Sequence, residues 1–181
     1  MNTFLPADYK TPSGNDKYMK FEAGDNKIRI LTAPIIGYEL WIAGKPKRIP
    51  MNSKWTPEEI NGADINTFTG KKKTPVHFWA MAIWNFKAER IQILQINQLK
   101  IQGSITALNM DADWGSPLDY DIVINKTGEK TDTKYNVIPK PKKALSEDIK
   151  TALKETPVNL NALFSGDDPF SASIEVSVEK F

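Results

Sequence analysis

No cysteine occurs in the 181 residues, and His77 is the single histidine. The first absence removes disulfides, thiolate chemistry and cysteine-based zinc sites, and it fits a reducing compartment. The chain has no long apolar run, and Met1 leads into Asn2, Thr3, Phe4 and Leu5 without a basic segment. Neither a signal peptide nor a membrane-spanning helix is expected, and the expected location is cytoplasmic. No GxxxxGK[ST] loop or GxSxG elbow is present, and the GKKKT run from Gly70 lacks the upstream glycine that a phosphate cradle needs. Asp111 with Asp113, and Asp119 with Asp121, lie near glycine and proline and read as turn formers rather than metal ligands. The expectation is therefore no enzyme, with no catalytic residue, metal or cofactor.

What is present suits one domain with a real core. The net charge of +2 is unevenly spread. Residues 144–181 carry seven acids against three lysines, a net −4, which leaves +6 on residues 1–143. A basic body with an acidic end is common in proteins that handle polyanions, and it is equally the mark of ordinary solvated surface. There is no internal repeat and no low-complexity tract.

The most regular apolar stretch is HFWAMAIWNFKAERIQILQI, from His77 to Ile96. It predicts a central β-hairpin with a bend around residues 87–90. Alternation puts His77, Trp79, Met81, Ile83 and Asn85 on one face and Phe78, Ala80, Ala82, Trp84 and Phe86 on the other. Met81 and Ile83 mark the first face as core. The second sets small residues beside large rings, which predicts flat, open room next to Trp84 and Phe86. The return strand breaks alternation at Ile93 and Leu94, predicting a bulge or burial on both faces.

Around this hairpin, residues 1–17 read as an irregular N-terminal arm. Strands are expected at 27–31, ended by Pro34, at 36–42 and at 47–50. Residues 52–74 form a long polar loop in which Thr56, Pro57, Glu58 and Glu59 start a turn or two of helix. Residues 97–109 shift to helical spacing. Strands follow at 120–124 and 134–138, with Pro139 and Pro141 closing the sheet. Ser146 caps a further helix that stops before Pro157, residues 160–164 form a last helical turn, and residues 173–178 read as a late strand or free tail.

This order predicts a mainly β, five-stranded Greek-key barrel of the OB-fold type, with one helix between strands 3 and 4. The barrel spans residues 18–143, and residues 144–181 form an acidic C-terminal helix and tail. Such barrels bind oligonucleotides on their middle strands and loops. Rings that stack on unpaired bases are expected at Trp41, Trp55, Trp84, Phe86 and Tyr135. Phosphate contacts are expected from Lys45, Lys47, Arg48, Lys71, Lys72, Lys73, Lys87, Arg90 and Lys134. Each ring has a core alternative and each cation a solvated one. Trp79 and Tyr120 read as core, and Trp114 as a turn anchor. A protein-binding barrel and a single-stranded RNA module are the competing readings.

Met81, Trp84 and Asn85, then Ile91, Gln92, Ile93 and Leu94, then Trp114–Gly115, Tyr120–Asp121–Ile122, Gly128–Glu129, Asp132–Thr133, Tyr135 and Pro139 follow one another at set spacing. In that order they resemble phage-encoded single-stranded-DNA-binding replication proteins of the OB-fold type. The resemblance covers about residues 78–139, with weaker support in KYMKFEAGDNKIRIL. It implies a non-enzymatic coat for single-stranded DNA in replication, recombination or repair, acting in the host cytoplasm. It also implies an acidic C-terminal region that recruits replication proteins. The zinc site of some members is absent here, since there is no cysteine. Members often end in an acidic tail with a final Phe; Phe181 is last here, but the stretch before it alternates like a strand, and Asp167–Asp168–Pro169–Phe170 resembles a docking tip placed earlier in the chain.

Overall fold

A computed structural model describes residues 16–171. Most of the N-terminal arm, the expected strand or tail at 173–178 and the final Phe181 lie outside these residues. The protein is mainly β, with one antiparallel seven-stranded sheet and few helices.

The strands are β1 (Gly24–Ile30), β2 (Ile35–Ile42), β3 (Lys45–Pro50), β4 (Val76–Asn85), β5 (Arg90–Ile96), β6 (Tyr120–Thr127) and β7 (Lys134–Lys142). The helices are α1 (Pro57–Asn61), α2 (Leu99–Met110), α3 (Glu147–Glu155) and α4 (Ala162–Ser165). The strand path is β3-β2-β4-β1-β6-β7, with β5 on the other side of β4. The strands read from the sequence are all present, and they exceed the five of the expected barrel because β1 and β2 are two arms of one bent run and β3 extends the edge. The bend is held by β4: Ala82 accepts from the Leu31 amide at 2.9 Å and donates to the Thr32 hydroxyl at 3.0 Å. Both arms therefore run along one side of β4, pairing Ile36 with Trp79 and Arg29 with Trp84.

Local chemistry explains the punctuation. Thr56 and Glu59 form a reciprocal capping box at α1, with Pro57 in the first turn. Ser146 caps α3 through the Ile149 amide. Asn85 accepts from the Lys87 and Ala88 amides, which shapes the β4–β5 turn. The two-residue β2–β3 turn needs positive φ at both positions, and Ala43 stands at 52° beside Gly44 at 74°. An alanine is strained there, so Ala43→Gly is expected to raise stability by up to about 1 kcal/mol in urea unfolding. Pro139 and Pro141 do not close the sheet: β7 continues through both. It pairs only with β6, so a missing N–H costs nothing on its free side.

The sheet encloses a first core on one face. Ile28, Ile30, Met81, Ile83, Leu94, Ile96, Ile122 and Ile124 meet α2 through Ile101 and Ile105. Gln102 fixes that helix: its amide donates to the Ile96 carbonyl at 2.7 Å, leaving its oxygen to accept from His77 Nδ1 at 3.0 Å. The lone histidine thus meets Gln102 through Nδ1 and holds a helix end.

The other face of the hairpin differs from expectation. Its Phe78–Ala80 end is covered: with Ile93 and Leu163 these residues form a second core, flanked by Tyr18, Leu160, Phe164 and Phe170, while Trp84 and Phe86 stay half-buried. Ala80 is a seat for the C-terminal segment. Ile93 and Leu94 are both buried, one in each core, so the break in alternation is burial on both faces. Residues 17–19 also add to the edge of β5, where Met19 and Lys17 exchange backbone hydrogen bonds with Ile93 at 2.9 and 2.8 Å.

Lys17 ties this edge to the C-terminal segment through Asp168. That hydrogen bond, then the Phe170 amide, holds the Asp168 carboxyl below its ordinary value of 3.8. A depressed acid contributes its stabilisation above the unfolded-state value and loses it as pH falls through the folded-state value. The pair is exposed, so its loss is small: only the amides next to Asp168 are expected to exchange faster as pH falls below 3.8, with the rest of 158–170 unchanged.

Candidate nucleic-acid interface

Cross-strand register decides which predicted residues meet. On β2, Trp41 shares a face with Glu39, and on β3 that face holds Arg48 and Pro46. Trp41 is 39% exposed, enough for its ring to offer one side to a ligand. Lys73 Nζ stands 5.0 Å from its centroid, a cation–π contact. The two residues line a cleft of about 360 Å³ with Lys72, Asn66, Thr69 and Val76. Lys71 is exposed on the same loop. The long polar loop is ordered rather than slack: Asp64 and Lys73, and Asn66 and Lys71, are joined by backbone hydrogen bonds of 2.7 and 2.8 Å. Three of the predicted residues, Trp41, Lys72 and Lys73, are thus brought together, with Lys71 beside them.

Arg48 reaches the same face but is used inside it. Its side chain is 13% exposed, bonds Glu39 at 2.8 Å and Gln95 at 2.9 Å, and lies 5.8 Å from the Phe78 ring. A phosphate has no route to it without breaking that buried pair. Lys45 and Lys47 point to the opposite face of β3 from Trp41. Lys47 bonds Glu59, and that bond, followed by the Thr56 amide, lowers the Glu59 carboxyl below its ordinary range. Trp55, half-buried just before α1, does not line the cleft; its Nε1 finds no hydrogen-bond partner among the described residues.

A second group lies at the other end of β4, roughly 30 Å away along the strand. Trp84 and Phe86 are half-buried, and Lys27 Nζ sits 4.3 Å over the Phe86 ring. Lys87 pairs with Glu22, and Arg90 with Asp16 at 2.6 Å. Exposed pairs of this kind contribute little and exchange readily for phosphate. Between the two groups, the C-terminal segment covers Phe78 and Ala80. The rings therefore form two patches, not one platform.

Tyr135 belongs to neither patch. It faces the first core and packs on Phe21 at 5.6 Å, while its neighbour Lys134 is exposed. Trp114 packs edge-on against Tyr120 at 5.5 Å, and burial pushes the Tyr120 hydroxyl above its ordinary pKa. Sequence reasoning missed two residues. Lys27 gave no signal beyond its charge. Phe68, 99% exposed at the tip of the 64–73 loop, is flanked by Asn66 and Gly70, which are turn formers.

Among the described residues no cluster of three or more His, Cys, Asp or Glu is placed to hold a metal ion, and no helix is long and apolar enough to cross a membrane. No protein-family model, curated protein or solved structure matches the chain.

Proposed function

We propose that this chain is a non-enzymatic, sequence-tolerant binder of single-stranded DNA, an OB-fold coat used in replication, recombination or repair. The observation that carries the reading is the cleft in which Lys73 stands over Trp41 with Lys72 at its wall. A ring stacks on any base, and neighbouring cations take the phosphates, so the pairing needs no sequence readout. The connectivity supports the OB-fold part. A bent first strand (β1 and β2) pairs with β4, β4 with β5, α2 follows β5, and β6 returns to β1 before pairing with β7. The Trp84 and Phe86 patch, with Lys27, Lys87 and Arg90, is a second contact along the same strand.

On this reading the acidic C-terminal segment recruits replication proteins, and among the described residues Asp148, Glu155 and Asp167 are exposed acids. Phe170 is half-buried against the second core and Asp168 is held by Lys17, so neither is a loose docking tip.

Titration with oligo-dT at low salt is expected to quench tryptophan emission, and affinity is expected to fall steeply as salt rises. Trp41→Ala is expected to weaken binding about five- to 150-fold, the range of one lost base stack. Replacing Lys71, Lys72 and Lys73 by Ala is expected to lower the salt slope by about 2, near 0.7 per phosphate lost. Flat emission and anisotropy at low salt would remove the proposal, and tighter binding of a matched RNA oligomer would move it to RNA.

A further inference from the structure

Phe68 is 99% exposed, yet the hairpin that displays it is tightly built. The Asn66 side chain accepts from the Phe68 and Thr69 amides at 2.9 and 3.2 Å, and Gly70 closes the turn at a φ of 67°. A large ring held rigidly in water is poised for a partner, because little freedom is lost when it docks. At the opposite end of β2 an apolar cavity of about 310 Å³ opens. Ile30, Met81 and Ile105 form its floor, and Ile36, Trp79 and Leu118 its walls. A cavity of roughly 150 Å³ accepts benzene, so a phenyl ring fits with room at the mouth. The strand separates hairpin and cavity by about 23 Å at 3.3 Å per residue, which puts the cavity beyond the reach of the same chain's Phe68.

The hairpin is basic, and the loop beside the cavity carries acids that could face it. Lys71, Lys72 and Lys73 follow Phe68, whereas Asp111, Asp113 and Asp119 are on the loop that supplies the Ser116–Leu118 side of the cavity. Asp111 and Asp113 are exposed, as is Asp119; Lys142 lies 3.7 Å from where a Gly115 Cβ would stand, and Arg29, Lys143 and Lys150 line a separate pocket with Leu118 and Asp119.

We propose that Phe68 of one copy seats in this cavity on a second copy, with the hairpin lysines facing the Asp111–Asp119 loop. Two different patches meet, head to tail or reciprocally about a two-fold axis, and the contact does not require nucleic acid. The test is sedimentation velocity of the full chain, free of nucleic acid, over a concentration series. Wild type is expected to self-associate, more weakly as salt rises. Phe68→Ser removes the ring, and Thr106→Arg, at an exposed α2 position on the cavity wall, blocks the seat. Each is expected to weaken association about 30-fold, as loss of a central aromatic anchor does. An equimolar mixture of the two variants is expected to form one-to-one dimers, since each supplies the half the other lacks. Unchanged circular dichroism and melting check the fold of each, with Ala33→Trp as a second way of closing the mouth. A monomeric wild type, undiminished association of the Phe68→Ser chain, or a mixture that stays monomeric would each overturn the proposal.

Discussion

Leu163→Ala is expected to cost about 2–5 kcal/mol, the range for removing a buried leucine side chain. Leu163 is 3% exposed and closes the second core over Phe78, Ala80 and Ile93. Around it the backbone is already tight. A Cβ on Gly37 would stand 2.2 Å from the Ile49 carbonyl and 3.1 Å from the Phe164 ring. The sheet therefore has little room to collapse into the vacated space, which places the loss toward the upper part of the range. Urea unfolding measures it as a lower midpoint at unchanged slope. Leu99, 72% exposed at the start of α2, is the control, with Leu99→Ala expected to stay within about 0.5 kcal/mol of wild type. Equal midpoints for the two variants would mean that the C-terminal segment does not cover the sheet in solution.

The second large effect is electrostatic. Arg29 and Asp121 face each other across β1 and β6, both nearly inaccessible, with Nη1 to Oδ1 at 3.2 Å. Arg29 spends its other donors on the Leu118 and Lys143 carbonyls at 3.0 and 2.8 Å. Lys27 and Lys143 approach the second Asp121 oxygen at 3.4 and 3.5 Å. Asp121→Ala strands a buried guanidinium among cations, and the expected loss is about 3–5 kcal/mol. Replacing both partners by apolar residues, Arg29→Met with Asp121→Leu, removes the stranded charge and is expected to recover most of that loss. A double variant as unstable as the single one would show that the Arg29 bonds to the two carbonyls, rather than the ion pair, hold this corner.

The strands were legible because they alternate, and the starts of α1 and α3 because Thr56 and Ser146 carry their own capping chemistry. The fate of the second hairpin face was not legible. Phe78 and Ala80 announce a surface to be covered or used, and nothing in their spacing tells which. The answer lies in Leu160, Leu163 and Phe164, far along the chain in a stretch that reads as polar and acidic. Arg48 was misleading for a related reason: its partner Glu39 is assigned by the β2–β3 register, and Gln95 reaches it from β5. The Trp41 end of the site was legible in its residue types. Its geometry depended on the long loop folding back so that Lys73, rather than the nearer Lys45 and Lys47, stands at the ring. Tyr135 went the other way, since one register step on β7 separates an outward ring from one packed on Phe21.

The contact of Tyr18 and Leu163 on the same few residues of β4 and β5 has a consequence for biosynthesis. Lys17 and Asp168 are 151 positions apart, so the outer layer joins the earliest and latest parts of the described chain. Contacts of such long range form late. During translation at 5–20 residues per second, about 70 residues separate Ile93 from Leu163, so Phe78 and Ile93 would stay bare for roughly 4–14 s. Over that interval a nascent chain offers its stickiest surface to its surroundings, and a chaperone or a neighbouring nascent chain would meet it there before α4 does.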